Sequence, residues 1–200
     1  VWFTFGHYKF SRFSLGKVVP AAKWKAMTIC TIPIVGITMV FYSIMNLFHL
    51  DFLPKQMMEM SYLGFQPYNI IGSFISVYIF FGAIQEELIR CGKKRWVQLL
   101  TLSIMMLPAC MMSVTPSGDI NVDLTVLGFI TLCYCSWIYG KTRSTIILIV
   151  LYFVSNLVPF HFESKALGIL LLIAGTALTI GGFAALSRKL PEMLVKDENE

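Results

Sequence analysis

The chain is poor in charge. Only 14% of its 200 residues are Asp, Glu, Lys or Arg, against roughly 25% in soluble domains, while 56% are hydrophobic. That deficit, with mean hydropathy +0.72 and long apolar runs, excludes a water-soluble domain and predicts an all-α polytopic membrane bundle. Histidine is scarce as well: His7 precedes the first apolar run, His49 ends it and His161 lies in the last loop. No metal site is expected from them, and no cofactor. The five cysteines, Cys30, Cys91, Cys110, Cys133 and Cys135, have neither zinc nor redox spacing and none falls in an outer loop, so structural disulfides are not expected. No repeat of fixed period and no interdomain linker appears.

The chain does contain stretches long enough to cross about 30 Å of hydrocarbon. Six spans are predicted: Ala26 to Phe48, Ile70 to Ile89, Trp96 to Val114, Val122 to Tyr139, Ser144 to Phe160 and Ala166 to Leu186. The fourth and fifth are short and separated only by a Gly140-Lys141-Thr142-Arg143 turn. The first is too long and comes too late to be the apolar region of a cleavable signal peptide.

The net charge of +5 matters less than its placement. Lys9, Arg12, Lys17, Lys23 and Lys25 precede the first span, Arg90, Lys93, Lys94 and Arg95 follow the second, Lys141 and Arg143 follow the fourth, and Arg188, Lys189 and Lys196 follow the sixth. Only Lys55 and Lys165 fall on the other side, with Asp51, Glu59, Asp119, Asp123 and Glu163. The positive-inside bias therefore predicts both termini in the cytoplasm. Basic residues that follow span ends form no separate face for nucleic acid.

This divides the chain into a basic aromatic segment over 1–25, a transmembrane domain over 26–186 and a cytoplasmic tail over 187–200, whose end from Pro191 to Glu200 reads as solvated. In the first segment Trp2, Phe3, Phe5, Tyr8, Phe10, Phe13 and Trp24 interleave with Lys9, Arg12 and Lys17. That mixture suits the headgroup layer of a lipid bilayer, with contact to a cytoplasmic partner as the alternative. In the sixth span Ala177, Gly181 and Ala185 have small-xxx-small spacing and predict close helix packing. The eleven Met residues read as adaptable packing.

Ionisable residues inside a span are costly and mark function. One place qualifies: Gln85, Glu86 and Glu87 near the cytoplasmic end of the second span, with Arg90 one turn on, able to pair with either acid. Two readings stand side by side. In one, both acids belong to the interface and balance Arg90 and Lys93; in the other, one carboxylate faces a water-filled cavity, as a general base acting on water requires. On the fifth span Tyr152 and Asn156 share a face with Thr145 and Leu148, and Asn156 needs a partner, most simply another helix.

These residues resemble a family. Gln85-Glu86-Glu87-Leu88-Ile89-Arg90-Cys91-Gly92 is similar to the Glu-Glu-x-x-x-Arg-Gly motif of the CAAX protease and bacteriocin-processing (CPBP, or Abi) membrane proteins. Cys135 to Ser144 resembles the family stretch ending Thr-Gly-Ser, and Tyr152 to Asn156 falls where the family has His-x-x-x-Asn. The likeness covers about 70–156. It implies a bacterial cytoplasmic membrane protein and, in an active member, a glutamate-dependent intramembrane endopeptidase cutting near a prenylated cysteine. Glu86, Glu87 and Asn156 would then be catalytic, with Arg90, Tyr152 and Cys91 lining the pocket.

The pattern is also broken. With Gly92 in register Cys91 takes the Arg position, although Arg90 stands one residue earlier; the third span has no His, only Met112 or Ser113 near its place; and Tyr152 replaces a His, whose role as base a phenol cannot fill at neutral pH. Each lost acid-base group costs about 10² to 10⁴ in rate, so hydrolysis by the family mechanism is not expected. The leading expectation is a degenerate member acting as a membrane-embedded partner or scaffold for another membrane protein or a lipidated segment, with bacteriocin immunity as one version. The alternatives are an active endopeptidase and a small transporter or channel subunit.

Overall fold

A computed structural model describes residues 16–48, 67–111, 122–157 and 164–194 of the chain. The protein is all-α. A 3₁₀ turn at Pro20–Ala22 leads into α1 (Lys23–Leu47); α2 (Pro67–Ser76) continues through a π-helical segment (Val77–Gln85) into α3 (Glu86–Arg90). Then come α4 (Arg95–Met111), α5 (Val122–Thr142), α6 (Thr145–Leu157), α7 (Lys165–Lys189) and a 3₁₀ turn at Pro191–Met193. The aromatic segment over 1–15, the acids Asp51, Glu59, Asp119 and Glu163, the histidines His49 and His161, Met112 and Ser113, and the tail from 195 lie outside the described residues.

The described part of each predicted span falls on one helical run, in which the backbone satisfies its own hydrogen bonds. Two helical stretches, Pro20–Met45 and Lys165–Lys189, are long and apolar enough to cross a membrane, with mean hydropathy 1.9 and 2.2; Thr145–Ser155 is a shorter apolar helix.

α1 and α7 form an antiparallel pair. A Cβ on Gly36 would lie 2.5 Å from Thr179 Oγ1 and 2.7 Å from the Gly175 carbonyl, and one on Gly182 would lie 2.9 Å from Pro33 Cγ. The buried glycines of α7 are Gly168, Gly175 and Gly182, seven residues apart and so on one face. Small residues do bring these helices together, but not the predicted ones: Ala177 and Gly181 are exposed, and a Cβ at Gly181 would meet nothing within 4 Å. Spacing alone gives the periodicity of such a stripe and not which of two parallel stripes faces inward.

The core is completed by α5 and α6, with Leu132, Ile138, Ile147, Leu148 and Leu151 buried against Ile34, Phe81 and Leu102. Pro33 lies inside α1 and leaves the carbonyl one turn earlier without its helical donor. Next to that gap the buried Tyr134 hydroxyl donates to the Cys30 carbonyl at 2.6 Å, tying α5 to α1.

Two boundaries differ from expectation. α5 runs on through Thr142, so the predicted four-residue turn shrinks to Arg143 and Ser144. The end from Pro191 is not solvated throughout: Met193 is buried, as is Leu190 just before it, Val18 forms an antiparallel bridge with Leu194, and the Val19 amide donates to the Met193 carbonyl at 2.9 Å. The Lys17 amide donates to the Thr142 carbonyl at 2.7 Å. The two ends of the described chain thus pair with each other, and the first of them lies against the α5–α6 turn, where apolar Val18, Leu190 and Met193 extend the core.

Candidate functional site

The site is built where the second helical run approaches that same end. In its π-helical segment Val77, Phe81, Gly82 and Gln85 are buried. The wider i to i+5 turn of a π-helix sets Val77, Phe81 and Gln85 on one inward line. Phe81 lies 6.3 Å, ring to ring, from Tyr139 of α5.

Gln85 is 1% exposed. Its Nε2 donates to the Ser136 carbonyl at 2.9 Å and to Gln98 Oε1 at 3.3 Å, while Gln98 Nε2 donates to the Lys93 carbonyl at 2.8 Å. The amide therefore joins the second helical run to α4 and α5. Its Oε1 is buried with no hydrogen-bond partner among the described residues.

Glu86, the next residue, turns toward α5. Its Oε2 accepts from Arg143 Nη1 at 2.7 Å and from the Tyr139 hydroxyl at 3.0 Å; its Oε1 lies 3.6 Å from Arg90 Nε. The Glu86 side chain is 17% exposed, Arg143 24% and Arg90 49%. The Arg143 contact is thus short, charge-assisted and half-shielded, which makes it the stronger of the two; the Arg90 contact is a surface pair of small weight. Arg143 caps α5 with φ of 53°, its amide still donating to the Tyr139 carbonyl at 2.8 Å. That left-handed turn carries the chain from α5 into α6.

The predicted site residues separate. Glu86 and Arg90 come together as expected. Glu87 is exposed, with Cys91 Sγ 4.0 Å from its Oε1, and Cys91 is exposed too. Tyr152 is half-buried against the core, and its carbonyl accepts from Ser155 Oγ at 2.9 Å. Asn156 lies on α6, but its side chain lies outside the described residues. Sequence reasoning missed Tyr139, Arg143, Gln98 and Ser136. Arg143 was legible only as a topological charge; the usable signal was that Glu86 is an acid at the basic end of the chain, where a second cation must approach it.

Among the described residues no three His, Cys, Asp or Glu side chains are grouped to hold a metal ion. What the arrangement does chemically is hold α3, α5 and the α5–α6 turn together through one carboxylate. Arg143 and Tyr139 both engage Glu86 Oε2, while Oε1 has the longer contact to Arg90. No protein-family model, curated protein or solved structure matches the chain. The fold and the site define an all-helical protein, with two helices of membrane-crossing length, in which an ion-pair node among the described residues ties α3 to the end of α5.

Proposed function

We propose that this chain is a six-span membrane protein with both termini on the cytoplasmic side. In this reading it is a non-hydrolytic relative of the CPBP proteins that holds a transmembrane or lipidated segment of another protein without cutting it. The observation that carries the non-hydrolytic part is the engagement of Glu86 by Arg143 and Tyr139. A second observation agrees with it. If Arg90 is set in the arginine position of Glu-Glu-x-x-x-Arg, the paired acids fall on Gln85 and Glu86. Those are the two side chains turned inward, while Glu87 is exposed. The first of the pair is then an amide, which cannot accept a proton from water at neutral pH.

Membrane residence is supported by the outward faces. Ile104 on α4 and Leu170, Ile173 and Ile180 on α7 are all more than 60% exposed, large apolar side chains of the kind that mark a membrane or interaction surface. The basic segments support the orientation: Lys17, Arg90, Arg143 and, in the last turn of α7, Arg188 and Lys189 belong to one end of the bundle.

The test uses the full chain in lipid vesicles with a farnesylated peptide ending in a CAAX sequence. Binding without a cleaved product is expected, from wild type and from Glu86→Ala alike. A product made by wild type and lost in Glu86→Ala, at equal expression, overturns the reading in favour of an endopeptidase. Topology is read separately on a variant keeping only Cys91, which a membrane-impermeant maleimide should reach from the cytoplasmic side alone.

A further inference from the structure

Away from the ion-pair node, a groove of about 390 Å³ runs along α1. Trp24, Thr28, Thr31 and Val35 form its floor, with Val150 of α6 and Leu178 of α7 as its walls. The surface is apolar despite the two threonines. Thr28 Oγ1 donates to the Trp24 carbonyl at 3.0 Å and Thr31 Oγ1 to the Met27 carbonyl at 2.7 Å, so both hydroxyls are satisfied along the helix.

The ends of the groove differ. At its mouth Trp24 is 75% exposed, and Lys23 Nζ stands 5.6 Å from the centre of its ring. Lys25 is exposed beside it. The antiparallel register of α1 on α7, with Gly36 against Thr179 and Pro33 against Gly182, sets Arg188 and Lys189 level with the first turn of α1. Both are exposed. The exposed Glu192 is the one acid on the adjoining turn. From Trp24 to Val35 the floor is about 16 Å long at 1.5 Å per residue, close to half of the roughly 30 Å hydrocarbon core. An apolar channel one leaflet deep, opening on a cluster of cations beside an interfacial tryptophan, has the chemistry of one molecule.

We propose that this groove seats an acyl chain of an anionic glycerophospholipid whose phosphate rests among Lys23, Lys25, Arg188 and Lys189. The inference rests on the membrane reading above. The apolar walls supply chain burial without headgroup selectivity, and the cations supply the selectivity, each worth a several-fold preference for an anionic lipid near the surface. Trp24 sits at headgroup level, where its amphipathic ring is favoured.

The test uses the full chain with Trp2, Trp96 and Trp137 replaced by Phe, leaving Trp24 as the reporter, in vesicles of phosphatidylcholine containing chain-brominated phosphatidylglycerol or chain-brominated phosphatidylcholine. Quenching by the phosphatidylglycerol is expected at a mole fraction lower on the order of tenfold. Lys23→Gln with Lys25→Gln should shrink that preference several-fold. Thr31→Phe, which fills the groove, should weaken quenching by both lipids. A control chain carries Ile173→Trp as its only tryptophan, on the outward face of α7. If the control is quenched and Trp24 shows no headgroup preference, the site is ordinary boundary lipid; the inference falls and membrane residence stands. If neither reporter is quenched, both fall.

Discussion

Arg143 reaches from the left-handed end of α5 to Glu86 and sets its Nη1 2.7 Å from the carboxylate Oε2. The contact spans 57 residues of sequence and closes one end of the bundle. Arg143 also takes part in the seam at the chain ends: Gly16 lies directly against its backbone carbonyl, and the Lys17 amide bonds to Thr142. The ion pair and the seam of the two chain ends are therefore parts of one structure.

Arg143→Ala is expected to lower stability by about 1 to 3 kcal/mol, since it leaves a half-shielded carboxylate with only a hydroxyl and a surface guanidinium. Arg90→Ala should cost less than about 1 kcal/mol. Arg143→Gly should be milder than Arg143→Ala, because glycine accepts φ of 53° without strain. Thermal unfolding of the three variants in one detergent reads the order directly; equal loss from Arg90→Ala and Arg143→Ala would show the pair to be no anchor.

The α1–α7 contact predicts a sharp asymmetry between two glycines. Gly36→Ala places a methyl 2.6 Å from the Thr179 backbone nitrogen, which forces the helices apart and costs on the order of 1 to 3 kcal/mol. Gly181→Ala points into open space and should be neutral or slightly stabilising through helix propensity. Melting temperatures measured side by side decide it.

Gln85→Glu is expected to destabilise more than Gln85→Met. The amide donates to two oxygens, of Ser136 and Gln98; a carboxylate there would face both as an acceptor, buried at 1% exposure, whereas methionine removes the unpartnered Oε1 along with the donor. Stability against denaturant ranks the pair, and a Gln85→Glu protein as stable as wild type would contradict the geometry.

Gly16→Val should loosen the seam. Gly16 has φ of 59° and a Cβ there would lie 2.3 Å from the Arg143 carbonyl, so the segment must lift away. Faster amide exchange is expected at Lys17 and Val19, whose protons are bonded to Thr142 and Met193, with α4 unchanged. Uniformly faster exchange would instead mean global destabilisation.

Much of this protein was legible in one dimension. Helix content and helix positions followed from the length of apolar runs, because each helix satisfies its own backbone and needs no distant partner. The grouping of Lys17, Arg90, Arg143 and Arg188 at one end followed from their recurrence at alternate span boundaries. Glu86 and Glu87 stood out together, as acids in an apolar segment. Other features depended on three-dimensional packing. Which small-residue stripe of α7 faces α1, Gly168-Gly175-Gly182 and not Ala177-Gly181-Ala185, depends on the rotation of one helix against another, to which spacing is blind. That Glu86 turns inward and Glu87 outward depends on the π-helical winding just before them, and the choice of Arg143 over Arg90 depends on a contact across 57 residues. Sequence by itself determined what each segment would become, since that is set by local hydrogen bonding and hydropathy; tertiary structure alone decided which side chains meet, since that is set by how the finished helices rotate and pack.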